Sequence, residues 1–335
     1  MSSALHAAVR TLRATITEPT VLAGLHLDLD RLGEPSYRIP AFLSRHAWEQ
    51  ITALSGTADF GFIAAQQHDP TELSGLPYLM QVLPSGLQAL EVLLQYWPAV
   101  AGHMRLGFDE RYGIGILSLL PVNHLDIAAS ERDYWMTRLG LYLTNHVPAI
   151  TEIRLRTSAQ PTLERYRQRR RVPVCGGAEE DALCLDMRLL GKLRTSGSPA
   201  IIQALVQALD EHARQRDTLS LLVRVSDLVI AGLGDNISQE TVAEQLHMTP
   251  RTLHRALLRE GWNFTDILEC HRRQITHDLL SRGEHSISEL ATHLGYSTTS
   301  SFSRAFQRWY GCGPSDCSKS HLKFHHSASM LHPAE

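Results

Sequence analysis

About the last hundred residues of the chain repeat themselves. At an offset of 48, Ser238, Val242, Ala243, Leu246 and Met248 fall on Ser286, Leu290, Ala291, Leu294 and Tyr296. After one inserted residue, Leu253, Arg255, Ala256, Leu257 and Arg259 fall on Phe302, Arg304, Ala305, Phe306 and Arg308. A pattern that recurs with its apolar and basic positions in phase has to fold the same way twice, so the C-terminal third holds two copies of one small unit.

Each copy reads as helix, sharp turn, helix. Ser286 followed three residues later by Glu289 is a capping box, and Ser238 is placed to cap the corresponding helix of the first copy. The first helices end near His247 and Gly295, where a tight turn demands a left-handed residue. Thr249-Pro250 supplies a hydroxyl cap and a proline at the first helical position of the next helix, and Ser297 is expected to cap its counterpart. At 100° per residue, Leu253, Ala256 and Leu257, and Phe302, Ala305, Phe306 and Trp309, form inward stripes. Arg251, Arg255 and Arg259, and Ser300, Arg304 and Arg308, then point outward. Small Ala243 and Ala291 on the first helices allow the close crossing by which a helix-turn-helix projects its second helix.

The run from Thr241 to Arg255, with Ile287–Ser297 and Phe302–Pro314, resembles the AraC/XylS transcription regulators over about residues 219–320. The resemblance implies an all-α module of two helix-turn-helix units, spaced by a bridging helix over Phe264–Ser281. Two departures stand near its end: Gly313 takes the place of the usual hydroxyl before Pro314, and Cys317-Ser318 that of the usual Tyr-Arg. With two reading heads, the outward faces become the candidate DNA interface. Arg251 and Arg255 are the expected readers of guanine edges, Thr252 and His254 of another base or a phosphate, and Arg259 and Arg308 the expected phosphate contacts. Thr298, Thr299, Ser300, Ser303 and Arg304 complete the surface on the second head.

A chain of 335 residues has room for about one further domain. Ser85 followed by Leu87, Leu90, Leu94 and Trp97 predicts a capped amphipathic helix, while Tyr112–Leu120 and Ile150–Arg156 read as strands, so residues 1–195 are expected to be α/β. Gly75–Met80, Ala89–Trp97 and Ala182–Leu190 resemble the arabinose-binding-like N-terminal domain of the ornithine-utilisation and virulence-regulator branch of the same family. That resemblance implies a small-molecule effector, with no pocket residues and no cofactor assigned, and a homodimer through this domain. Ser196-Gly-Ser-Pro199 marks a break, Ile201–Arg216 a connecting helix within a 196–218 linker, 219–323 the reading module and 324–335 a disordered tail.

Charge excludes a uniformly basic DNA binder: 32 Lys and Arg against 35 Asp and Glu give −3, so a DNA site has to be local. Gly113-Ile-Gly115 lacks the third glycine of a dinucleotide fingerprint, and neither a nucleophile elbow nor a P-loop is present, so no enzyme is expected. Cys317, His321 and His325 on one helix would spread over about 12 Å, too far for one zinc ion, so no metal site is assigned. The rival reading is a DNA-repair alkyl-acceptor, but Cys175 and Cys184 are too few for the four-cysteine zinc site such proteins carry. Five cysteines, no signal region and no long apolar span point to a cytoplasmic regulator, with activation the expected sense. Its expected partners are double-stranded promoter DNA and RNA polymerase, with no membrane.

Overall fold

The computed structural model describes residues 2–14, 27, 32, 39–67, 73, 75–101, 104–121, 127–144, 149–193, 196–214, 221–235, 237–282 and 286–315. The proposed tail and Cys317, His321 and His325 lie outside them. Two compact units divide the chain, with the main boundary between Thr218 and Leu219. No helix among the described residues is long and apolar enough to cross a membrane.

The first unit is α/β. It opens with helices α1 (Ser2–Arg13), α2 (Ala41–Ser55), α3 (Phe60–Gln66), α4 (Leu76–Val82) and α5 (Gly86–Val100), followed by strands β1 (Met104–Arg111) and β2 (Ile114–Pro121). Then come α6 (Ala129–Thr144), β3 (Ile150–Leu155), α7 (Gln160–Arg169), β4 (Val174–Gly176), β5 (Asp181–Asp186), α8 (Met187–Leu190) and α9 (Pro199–Arg214). The strands form one sheet in the order β1-β2-β5-β3-β4, antiparallel except for the β3–β4 pair, which α7 connects as a crossover.

Ser85 caps α5 as the sequence predicts, accepting from the Gln88 amide at 3.2 Å. The helix buries Ala89, Leu90, Leu93, Tyr96 and Trp97, however, and leaves Leu87 exposed. The expected strand from Tyr112 begins two residues later, because Tyr112 (φ 55°) and Gly113 (φ 78°) are the left-handed pair of a tight hairpin turn between β1 and β2. Aromatic rings fill the layer between helices: Trp97 meets Trp135 edge-on at 5.0 Å, Trp135 meets Tyr134 at 5.0 Å, and Tyr134 meets Trp48 at 5.4 Å. Helices α3 and α6 cross so closely that a Cβ on Gly61 would lie 2.0 Å from the Ser130 carbonyl oxygen.

A buried charged knot ties α6 to α7. Asp133 is 1% exposed and accepts from Arg132 at 2.8 Å and from the Tyr166 hydroxyl at 2.9 Å, while Arg165 and Arg169 hold Asp59 at 3.3 and 2.7 Å. Burial, and then the Asp133 carboxylate, push the Tyr166 phenol well above its ordinary range, so it stays a donor. The connecting helix α9 belongs to this first unit and packs on α4 and α5. There Tyr96 donates to Asp210 at 2.6 Å, and the Gly197 amide donates to the Val82 carbonyl at 2.8 Å.

The second unit is all-α, with α10 (Leu221–Ala231), a 3₁₀ turn at Leu233–Asp235, α11 (Gln239–Gln245), α12 (Pro250–Arg259), α13 (Phe264–Arg282), α14 (Ile287–His293) and α15 (Thr299–Tyr310). Its core is Leu253, Leu257, Ile267, Ile275, Leu290, Leu294, Phe302 and Phe306, each 3% exposed or less, which includes most of the stripes read from the sequence. Ala256 is covered only in part. At the centre Ser226 Oγ of α10 and His271 Nε2 of α13 lie 2.8 Å apart, with His271 fully buried.

Candidate nucleic-acid interface

Both helix-turn-helix units are built by local rules that the sequence spells out. Ser238 accepts from the Thr241 amide while Thr241 Oγ1 accepts from the Ser238 amide, and Ser286 and Glu289 do the same for α14. At the turns, the amides of His247 and Met248 donate to the carbonyls of Glu244 and Ala243, and those of Gly295 and Tyr296 to Thr292 and Ala291. These are paired Schellman closures around a left-handed residue, with His247 at φ 55° and Gly295 at φ 69°. Glycine is required at the second turn for a further reason: a Cβ there would lie 2.2 Å from the Leu233 carbonyl oxygen.

Thr249 caps α12 through the Thr252 amide at 3.2 Å, with Pro250 at the first turn as read from the sequence. In the second copy the cap is Thr298, accepting from the Ser301 amide at 3.1 Å, one residue after the expected Ser297. The run Ser297–Ser301, exposed but for half-buried Ser301, offers a hydroxyl at every position, and the packing of Tyr296 on Phe302, with centroids 5.7 Å apart, accompanies the later start.

The structure brings Arg251, Thr252, His254, Arg255 and Arg259 together on the exposed surface of α12. Among the described residues no hydrogen bond or ion pair engages Arg251, His254, Arg255 or Arg259, so these side chains keep their full capacity for an outside partner. Thr252 is different, because its hydroxyl lies 2.8 Å from that of Thr249 within the cap. On the second head Thr298, Thr299, Ser300, Arg304 and Arg308 are exposed and Ser303 is half-buried. Several of these are occupied: Thr298 caps the helix, Ser303 donates back to the Thr299 carbonyl at 2.9 Å, and Arg308 pairs with Glu269 of α13. Glu269 also accepts from Trp309 Nε1 at 3.0 Å. The two heads therefore differ in the number of uncommitted cations they present.

Sequence reasoning missed Glu269 and Arg272, both on α13. Arg272 donates through Nε and Nη2 to the carbonyls of Leu294 and Gly295 at 2.8 and 3.0 Å, satisfying oxygens that the end of α14 leaves open. Their partners lie more than twenty residues away, and no periodicity within α13 reveals them.

A family model described as the arabinose-binding domain of AraC transcription regulators matches residues 16–192, and one described as a helix-turn-helix domain matches residues 242–320. The chain belongs to the AraC family. Among the relatives of this AraC-family regulator is the ornithine utilization regulator of Pseudomonas aeruginosa, 25% identical over 79% of each chain. An uncharacterised HTH-type transcriptional regulator of Mycobacterium bovis is 37% identical over 33% of this chain and 32% of its own, so the match spans about a third of that relative. The crystal structure of the regulator CdpR from Pseudomonas aeruginosa aligns with 90% of this chain and 98% of its own at 22% identity and a TM-score of 0.40. These relatives are regulators rather than enzymes, in keeping with the missing catalytic motifs.

Proposed function

We propose that the chain is a sequence-specific DNA-binding regulator of transcription, controlled by a small-molecule effector held in its N-terminal unit. The observation that carries the reading is the outward face of α12, where Arg251, His254 and Arg255 stand exposed, and uncommitted among the described residues, on a capped helix of a helix-turn-helix. Arg251 and Arg255 have the fork geometry for guanine O6 and N7, and Arg259, at the far end of the helix, is placed for a phosphate. Duplication gives a second head, and the bridging helix α13, 19 residues and about 28 Å long, spaces the two for successive major grooves on one face of the duplex.

The match to an arabinose-binding domain supports effector control, and the effector acts only by the free energy with which it prefers the DNA-competent arrangement. Activation through RNA polymerase is the sense of regulation we assign, in the cytoplasm where promoter DNA lies. The alkyl-acceptor reading loses support at the thiols. A hydrogen bond to Glu152 raises the pKa of Cys175, and burial pushes Cys184 up to about 11, the reverse of an activated nucleophile.

Footprinting on the promoter DNA that the purified chain selects from random sequence tests the reading. Protection of two grooves about 10 base pairs apart by one protomer is expected, with affinity falling steeply as salt rises. Protection of a single groove, or no selection at all, overturns it. Mass spectrometry of small molecules that co-purify with the chain identifies the effector.

A further inference from the structure

Among the described strands the sheet of the first unit ends on β1, and this edge is complementary to itself. The strand is eight residues long, contains no proline and runs along β2 without a bulge, so of the devices by which edge strands block pairing it keeps only charge, in Arg105, Asp109, Glu110 and Arg111. From Arg105 to Arg111 every residue is exposed except Leu106 and Gly107, which are half-buried. The segment Arg105-Leu-Gly-Phe-Asp109 is arranged about its centre: Leu106 and Phe108 flank Gly107, and Arg105 and Asp109 flank those.

We propose that two copies of the chain pair through β1, antiparallel about a two-fold axis at Gly107, so that their sheets join into one. A two-fold axis perpendicular to the sheet keeps corresponding faces of both copies on the same side, so residues that meet across it stand on the same face of their own strand. Leu106 and Phe108 lie opposite Leu119 and Leu117 of β2, both buried, and therefore border the core face. Across the axis Leu106 meets the partner's Phe108, and Phe108 the partner's Leu106. This continues the apolar face through a ring that is now 36% exposed.

On the opposite face Arg105 meets the partner's Asp109, twice by symmetry. Arg105 has no hydrogen bond or ion pair among the described residues, and Asp109 is held only by exposed Arg111 at 2.7 Å. Gly107 faces its own copy across the axis. Moving the axis to Phe108 sets Arg105 against the partner's Arg111, and moving it to Leu106 sets Arg105 against glycine, so only the Gly107 register pairs both the apolar and the charged residues. Beyond Met104, whose amide and carbonyl are already engaged by Ala101 and Trp97, the outward amides and carbonyls of β1 then find strand partners, as in β-augmentation.

Sedimentation equilibrium of the full chain at micromolar concentration tests this independently of DNA reading. The parent chain is expected to dimerise. Arg105→Asp and Asp109→Arg are each expected to weaken dimerisation by about tenfold or more, because each sets like charges against each other. The double variant Arg105→Asp/Asp109→Arg regains the parent affinity, and an equimolar mixture of the two single variants forms a heterodimer that neither forms with itself. Gly107→Cys is expected to give a disulfide-linked dimer on mild oxidation, its Cβ requiring only a small shift of the Leu120 side chain. All these positions lie on the strand surface, and circular dichroism checks the fold of each variant. A parent chain that stays monomeric to about 100 µM overturns the proposal, as does a dimer indifferent to both charge reversals and never linked through position 107.

Discussion

The guanidinium of Arg272 lies over the ring of Tyr296, its central carbon 4.2 Å from the centroid, while the same group donates to the Leu294 and Gly295 carbonyls. One side chain of the bridging helix thus closes the end of α14 and packs on the residue that follows the turn. The turn after α11 shows no such clamp among the described residues.

Arg272→Ala is expected to destabilise the second helix-turn-helix by about 2–4 kcal/mol, since two charge-assisted hydrogen bonds and a stacked cation are lost together. Arg272→Lys recovers only part of this, because an ammonium cannot reproduce the planar fork. Thermal denaturation measures the loss. In a footprint, the half of the site read by α15 should fade while that read by α12 persists.

The two left-handed turn residues predict opposite tolerances. Gly295→Ala combines a φ of 69° with a Cβ 2.2 Å from a backbone oxygen, and a loss on the order of 3 kcal/mol is expected in urea denaturation. His247→Gly relieves a non-glycine left-handed residue but loosens the unfolded chain, so its stability should stay within about 1 kcal/mol of the parent.

The unequal heads predict unequal reading. Arg251→Ala or Arg255→Ala is expected to cost about 1–3 kcal/mol of base discrimination, confined to one half of the site. Ser300→Ala weakens binding less and evenly across sequences. Titrations against duplexes with either half-site scrambled separate the cases. Equal losses on both halves for Arg251→Ala would remove α12 as the principal reader.

Burial lowers the pKa of His271 from 6.5 to about 3, so the folded chain refuses a proton that the unfolded chain accepts. The stability that depends on its neutral form is complete above pH ~6.5 and is lost as pH falls toward ~3, by about 1.4 kcal/mol per pH unit. Urea midpoints of the parent should fall between pH 6.5 and 5, before carboxylates titrate, and His271→Leu should flatten that interval. A parent curve level down to pH 5 contradicts the assignment.

The reading module was legible because its signals are local. Ser286 and Glu289 cap across three residues, His247 and Gly295 close their turns within six, and the burial of Leu253, Phe302 and Phe306 follows from a period of 3.6. The exposure of Arg251 and Arg255 follows from the same phase. What escaped depends on distance along the chain. The occupation of Arg308 by Glu269 spans 39 residues, and a solvated arginine and a paired one look alike in sequence. The N-terminal unit was legible as α/β but not in its strand order, since nothing near β5 shows that it inserts between β2 and β3. Asp133 gave no sign of burial, because the groups that satisfy it include Tyr166, 33 residues on.

Helix α9 is seated on α4 and α5, with Leu209 and His212 buried and Tyr96 donating to Asp210. Its sixteen residues make a stiff rod of about 24 Å. A displacement of α4 or α5 of a few tenths of an ångström therefore carries the rod with it, because the rod is pinned to both helices. Within the first unit α9 therefore behaves as a rigid extension of the helices it lies on, with no slack joint at its root.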